Sequence, residues 1–170
     1  MSFPSAGTYP VYFEKYIQLV PQQNLSEAIA AQQDLADYFF QSVPEQKHHY
    51  AYAPGKWTLK EMLLHIIDTE RIFCFRALCF ARGEQQNIPG FEEDDYVAQS
   101  EAGNRSWQSL CEEWQSVRKA TVTLLNSFSE KQLQQRGRAN EKEVTVLALG
   151  YMILGHVYHH VQVAKERYGL

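Results

Sequence analysis

The sequence predicts an all-α fold, a four-helix bundle with a long crossover between its second and third helices. Four long segments repeat apolar residues at intervals of three and four, the period of one face of a helix. No segment alternates apolar and polar residues convincingly, as a half-buried strand does. The linker NIPGFEEDDYVAQSEAGN is too long for a tight helix–helix turn, so the third helix can start far from the end of the second.

The first long helix is predicted over residues 24–43. Asn24 stands three positions before Glu27, the spacing of a capping box, and Pro44 ends the segment. Apolar residues follow at helical intervals, namely Leu25, Ala28, Ile29, Leu35 and Phe39. The preceding stretch YFEKYIQLVP predicts a further short helix, which ends before Pro21.

The second and third helices have similarly marked starts. Thr58 and Glu61 repeat the capping-box spacing, and the Pro-free run LKEMLLHIIDTERIFCFRALCFARG ends at Gly83. The third helix is predicted from Ser106 to Phe128. Its apolar face repeats at three and four, through Trp107, Leu110, Trp114, Val117, Thr121, Leu124 and Leu125.

The fourth helix is predicted over about residues 145–168, before Gly169, and the short polar stretch GRANEKEV precedes it as a linker. There is no internal repeat and no low-complexity tract. With 170 residues, of which 45% are hydrophobic, the chain is expected to form a single domain over residues 1–170.

Composition excludes several classes of function. A net charge of −4 does not suit a nucleic-acid-binding face or a polybasic membrane signal. The longest apolar run, residues 144–158, is shorter than the roughly 18 residues that a membrane span needs. The start MSFPSAGTYP lacks the pattern of a secretory signal, and the three cysteines form no CxxC pair. The sequence therefore predicts a cytoplasmic protein with no nucleic-acid or membrane partner.

Three histidines in the stretch GHVYHH lie in the otherwise apolar fourth helix. Because each helical residue turns by about 100°, His160 lies about 40° from His156, inside the same apolar sector. His159 lies about 60° to the other side, near the edge of that sector, and is expected to point away. His65 is the candidate on the second helix, flanked by Leu63, Leu64, Ile66 and Ile67.

Imidazoles at i and i+4 on one face are able to meet one metal ion, and bundle cores take ligands from facing helices. His65, His156 and His160 would form a three-nitrogen site with an open position, the pattern of a catalytic metal centre. Such an ion would activate water or a substrate thiolate. The alternative is that the three are core histidines, each with its own hydrogen bond.

Other polar residues near these positions are candidates for supporting roles. Arg76 lies three turns after His65 on the same face, and a buried arginine needs an anionic partner. It could bind a substrate carboxylate, but the slightly favoured interpretation is an ion pair within the crossover, to Glu92, Asp94 or Asp95. Asp68 and Glu61 could orient a ligand histidine through a hydrogen bond. No catalytic acid or base is assigned.

The stretches GKWTLKEMLLHIIDTERIFCFRAL, IPGFEEDDYV, LCEEWQSVRKATVTLL and GYMILGHVYHHVQV resemble the DinB-like superfamily, of the DinB and YfiT type. The similarity covers most of the chain from Trp57 onward, and the first fifty residues match loosely. The resemblance implies an often dimeric four-helix bundle. It also implies a divalent ion, zinc or nickel, bound by one histidine of the second helix and an HxxxH pair of the fourth. By position these are His65, His156 and His160.

The resemblance is specific for the family but leaves the reaction open, because relatives include bacillithiol-using S-transferases and mycothiol-dependent isomerases. The resulting hypothesis is a metal-dependent hydrolase or thiol S-transferase that acts on a small-molecule substrate or with a low-molecular-weight thiol. A non-catalytic metal- or small-molecule-binding bundle of the stress response is the alternative, and a purely structural helical protein is the third. A homodimer is expected, both from the family and from the aromatic-rich helix faces.

Overall fold

The fold was examined in a computed structural model that describes residues 3–170. Met1 and Ser2, the first residues of the segment judged to lack a secretory signal, lie outside the described residues. The described chain forms helices and one small antiparallel sheet. The elements are α1 (Glu14–Ile17), α2 (Leu25–Gln41), α3 (Leu59–Ala81), α4 (Glu93–Gln99), α5 (Trp107–Asn126), α6 (Glu130–Leu133), β1 (Arg136–Ala139), β2 (Lys142–Thr145) and α7 (Val146–Tyr168).

The four predicted long helices are α2, α3, α5 and α7, and their boundaries follow the predicted caps. The side chain of Asn24 accepts hydrogen bonds from the first turn of α2, and Thr58 and Glu61 form a full capping box on α3. Ser106 and Thr145 cap α5 and α7 in the same way. The short helix before Pro21 is α1, which follows a 3-10 turn over Val11–Phe13.

The four long helices form a bundle in which α2 and α3 each pack against both α5 and α7. Helices α3 and α5 run parallel, because Lys60 contacts Gly103 near their starts and Cys74 contacts Thr121 further along. A parallel pair of consecutive long helices requires a connection that returns along the length of the bundle. The predicted long crossover is therefore confirmed, and it carries the short helix α4 within the segment predicted as a linker.

The fold is mostly helical as predicted, but the assignment of the stretch before the last helix as a linker is wrong. The polar stretch before the last helix is a β-hairpin, in which Arg136 pairs with Thr145 and Ala139 pairs with Lys142. Asn140 and Glu141 both have positive φ, 49° and 60°, as a type I′ hairpin turn requires. Four-residue strands joined by Asn-Glu, instead of the more usual Asn-Gly, are too short to produce a readable alternation.

A buried polar network ties the four long helices together. Arg118 of α5 donates to Glu70 of α3 over 2.6 Å and to the side-chain oxygen of Gln32 of α2 over 3.1 Å. Gln32 in turn donates to the backbone carbonyl of Leu154 of α7 over 2.8 Å. The guanidinium also lies 4.5 Å from the ring centroid of Trp114. Because Leu154 precedes His156 by two residues, this network helps to fix α7 where its histidines face α3.

Within residues 3–170, no helix combines the length and the apolar character that crossing a bilayer requires.

Candidate metal centre

Three histidine side chains from two antiparallel helices converge in the core. The Nε2 atom of His156 lies 3.0 Å from Nε2 of His65 and 3.0 Å from Nε2 of His160. All three side chains are buried, and one nitrogen of each lies within 4.8 Å of the others. The structure therefore brings together the three residues that the helical angles and the family resemblance had selected.

Hydrogen bonding among the three rings cannot satisfy this arrangement. A neutral imidazole nitrogen is either a donor or an acceptor, so Nε2 of His156 can form a hydrogen bond with one neighbour but not with both. Burial lowers the pKa of His65 to about 4, and burial together with the neighbouring imidazoles lowers the pKa of His156 and His160 well below the usual value. Three neutral rings with converging lone pairs are the ligand form of histidine, so this donor set fits a divalent ion.

His159 lies outside the triad, as the helical angle predicts. Its ring is half-buried and meets the ring of Tyr16 edge-on, with 5.0 Å between the centroids. Among the described residues, His65, His156 and His160 form the group with the geometry to hold a metal, and His159 is not part of this group. His159 is therefore a matched neighbour against which the triad can be tested.

A cavity of about 480 Å³ opens beside the triad, a size suited to a small molecule. Its walls come from the N-terminal segment, α3, the crossover, the hairpin and α7. Six aromatic rings contribute to the lining, namely those of Tyr12, Phe13, Tyr16, Trp57, Phe73 and Phe91. One of them, Trp57, lies against the triad, with its ring centroid 4.6 Å from that of His65. The site is thus a histidine cluster with the geometry to hold a metal, at the side of a cavity with several aromatic rings in its wall.

Gly155 explains how the N-terminal segment reaches the site. A Cβ at this position would lie 2.1 Å from the backbone oxygen of Tyr16, far inside van der Waals contact. The missing side chain lets α1 pack directly on α7, one residue before His156. As a result, the ring centroids of Tyr16 and His156 lie 5.8 Å apart. Burial in this position raises the pKa of the Tyr16 phenol.

Arg76 lines the same cavity, but its predicted ion pair is absent. Its guanidinium donates to the backbone carbonyl of Pro89 over 3.0 Å and lies near the rings of Phe73 and Phe91. Within residues 3–170 no carboxylate lies within ion-pair distance of it, because the acidic side chains of the crossover, residues 92–95, are exposed to solvent. The favoured pairing with Glu92, Asp94 or Asp95 is therefore wrong.

Glu61 and Asp68 have roles other than the predicted support of a ligand histidine. The carboxylate of Glu61 accepts from the backbone and the hydroxyl of Thr58, over 2.7 and 2.8 Å, as the partner in a helix cap. Asp68 forms an ion pair with Arg71 at 3.4 Å on the outer face of α3. Neither carboxylate has a hydrogen bond to a histidine in the described part of the chain. Nδ1 of His160 is buried there without any hydrogen-bond partner.

Comparison with known families agrees with this geometry. The DinB superfamily matches residues 28–164, which is most of the chain and includes all three histidines. The chain belongs to the DinB superfamily. The resemblance inferred from the motifs is thereby confirmed, and the superfamily's match begins within α2, ahead of the motif region.

The same fold occurs in a solved structure of another protein. It is YfiT from Bacillus subtilis, described as a probable metal-dependent hydrolase with an unusual four-helix bundle topology. The two share 17% sequence identity, with a TM-score of 0.67 over 99% of this chain and 94% of that one. At this identity the likeness establishes the fold of this DinB superfamily member. No curated protein matches the chain.

Sequence reasoning missed most of the cavity wall. The sequence patterns assign no site role to Tyr16, Trp57 or Phe73, and they place Asn140 in a linker. Phe73 lies eight residues after His65, which is about 80° around α3, so helical spacing alone gave only a weak signal for it. Tyr16 and Asn140 had no such signal, because only packing brings α1 and the hairpin to the site.

Proposed function

We propose that this protein is a divalent-metal-dependent enzyme in which His65, His156 and His160 hold the ion. The observation that carries the proposal is the convergence of three neutral, buried Nε2 atoms beside a cavity of about 480 Å³. A structural metal site is normally closed by four protein ligands, whereas a catalytic site keeps a position open to the substrate. Here the described residues offer three ligands, and the cavity gives access to them.

The chain's own residues prepare this site in two ways. Burial keeps the imidazoles neutral, so that their lone pairs are available without competition from protons. The aromatic rings in the wall lower the local polarity, which strengthens electrostatic interactions beside the triad. An ion held by three neutral ligands retains its positive charge and supplies a Lewis acid that activates water or a thiol.

Two reaction types remain within the proposal, and they differ in the nucleophile. Hydrolysis, with water as nucleophile, is favoured by the description of YfiT as a probable metal-dependent hydrolase. Thiol S-transfer, with a low-molecular-weight thiol, is favoured by the aromatic lining, because a soft, weakly hydrated sulfur is easily accommodated among aromatic rings. We place hydrolysis first.

The proposal is tested with untagged protein whose metal content is measured by mass spectrometry. We expect about one equivalent of a divalent ion per chain, with zinc or nickel the best candidates because imidazole suits both. The loaded protein is then assayed with aryl esters and amides, and separately with monobromobimane and a range of small thiols. We expect turnover in one of the two assays, and its loss when the metal is removed by a chelator.

A variant with His156 replaced by alanine is the control for adventitious metal in these assays. Full metal loading without turnover of any substrate would favour the alternative, a non-catalytic metal- or small-molecule-binding bundle. A protein that purifies without a metal and takes up none when it is supplied would leave the three histidines as core residues. That result would contradict the proposal.

Two further features of the proposal concern assembly and location. We propose a homodimer, in line with exposed apolar side chains on the helices, among them Leu35, Tyr38, Phe75 and Leu78. Sedimentation at micromolar concentration measures the oligomeric state directly.

We propose a cytoplasmic location because the thiols of Cys74 and Cys111 are unpaired, and burial raises the pKa of each to about 11.

A further inference from the structure

The guanidinium of Arg76 is an unusual charge for a protein interior. Its side chain is only 6% exposed, and its pKa is lowered by burial, with no compensating carboxylate. Of its five N–H groups, one has a protein acceptor among the described residues, the carbonyl of Pro89. The Nε atom of Arg76 is also buried, and it has no hydrogen-bond partner among residues 3–170. A buried arginine in this state lacks the anion that normally compensates its desolvation.

Carboxylates are available close to Arg76 but do not pair with it. Glu92 and Glu93 line the same cavity, yet both side chains remain in solvent and neither lies within ion-pair distance of the guanidinium. Arg118, the other deeply buried arginine, shows the contrast, because it forms a 2.6 Å ion pair with Glu70. Nε of Arg118 also lacks a hydrogen-bond partner among the described residues, so the two arginines differ in the carboxylate. The bundle pairs Arg118 with Glu70 and leaves Arg76 at a cavity wall without a carboxylate.

The position of Arg76 relative to the triad suits a single bound molecule. The guanidinium lies 5.7 Å from the ring centroid of Phe73, and that ring lies 6.4 Å from the ring of His156. Phe73 thus lies near both the cation and one of the triad histidines, and all three side chains line one cavity. A ligand with an acidic group and an apolar body could contact the guanidinium, this aromatic ring and the triad within that cavity.

We infer that Arg76 binds the carboxylate of an acidic small-molecule substrate whose reactive group lies at the histidine triad. This inference names the substrate class of the proposed enzyme and therefore rests on the proposed function. The planar guanidinium matches a carboxylate in a two-hydrogen-bond geometry. The rings of Phe73 and Phe91 would flank the ion pair and keep it from water. Arg76 is a positioning residue, and no proton transfer is assigned to it.

The test compares acids with amides of the same shape. The probes are arylalkanoates of increasing length, from benzoate to 4-phenylbutyrate, and the corresponding primary amides, with affinity measured by calorimetry. Wild type is compared with Arg76→Met, which removes the charge, with Arg76→Lys, which keeps it, and with Arg82→Met. Arg82 is a matched control, since it is an exposed arginine just after the end of α3 and does not line the cavity.

We expect wild type and Arg82→Met to bind at least one acid about tenfold or more tightly than its amide, the usual strength of a charge-assisted hydrogen bond. Arg76→Met should lose this preference and Arg76→Lys should keep part of it. Arg76→Met should fold at least as stably as wild type, because it removes an uncompensated charge. A large loss of stability would instead indicate a structural role, through the bond to Pro89, and would count against the inference.

Metal-loaded and chelated protein are compared because a carboxylate could also bind the ion. The preference for acids should persist after chelation. A preference that appears only with the metal, or that survives in Arg76→Met, overturns the role of Arg76. If the wild-type protein binds no acid more tightly than the corresponding amide, that result alone overturns the role of Arg76. A chain that takes up no metal but prefers acids through Arg76 would instead refute the proposed enzyme and leave the anion site in place.

Discussion

Replacing His156 or His160 by alanine is expected to abolish stoichiometric binding of a divalent ion. Each substitution removes one of three converging Nε2 atoms and leaves two ligands, which do not hold an ion against water. The loss is measured by equilibrium dialysis against micromolar zinc or nickel, with metal content per chain as the readout. Replacing His65 of α3 by alanine should also abolish stoichiometric metal binding.

His159→Ala is the matched control for this prediction, because it removes an imidazole from the same helix and leaves all three triad nitrogens in place. It should retain a full equivalent of metal. Loss of metal in His159→Ala, with retention in His160→Ala, would mean that α7 faces the other way. Retention in all three triad variants would place the metal elsewhere and remove the basis of the proposed function.

Metal removal should lower thermal stability without unfolding the protein. The bundle has its own apolar core on both sides of the triad. Metal binding would therefore stabilise a fold that forms without the metal. The helical circular-dichroism signal of the triad variants should therefore be preserved at room temperature.

Arg118→Met is expected to destabilise the fold by about 3–5 kcal/mol, the largest effect predicted for a residue outside the metal centre. The substitution leaves Glu70 fully buried without its partner and removes the hydrogen bond to Gln32. It also breaks the network that joins all four long helices. In thermal denaturation we expect the Tm to fall by roughly 10 °C for a chain of this size.

Lys119→Met, which removes a neighbouring exposed charge on the same helix, should change the stability by less than about 0.5 kcal/mol. The double variant Glu70→Leu with Arg118→Met should be more stable than Arg118→Met alone, because no charge is then left uncompensated in the core. Equal stability of wild type and Arg118→Met would show that the buried pair is not needed to hold the helices together.

The four long helices and the histidine triad were predictable because their signals are local. Caps such as Asn24 and Thr58 and the three-and-four spacing of apolar residues act within a few residues of each other, so the boundaries could be placed before any packing was known. The triad follows from the same geometry. His156 and His160 are one turn apart on an apolar face, and His65 lies on the corresponding face of another helix.

The remaining features depend on which elements meet, and no local spacing encodes that. The hairpin exists because Asn140 and Glu141 adopt a type I′ turn and the crossover packs on β1, where Ile88 bridges Ala139. Tyr16 enters the site because Gly155 admits the α1 backbone.

The two buried arginines illustrate the same limit. In sequence both stand among apolar residues on amphipathic helices, with acidic residues within reach along the chain. Only the tertiary structure pairs Arg118 with Glu70 and leaves Arg76 at a cavity wall without a carboxylate. The sequence by itself determined the helices and the convergence of the three histidines, because helical geometry is repetitive and local. The partners of each buried charge were decided by the packing of distant segments, since an ion pair depends on distances of a few ångströms between them.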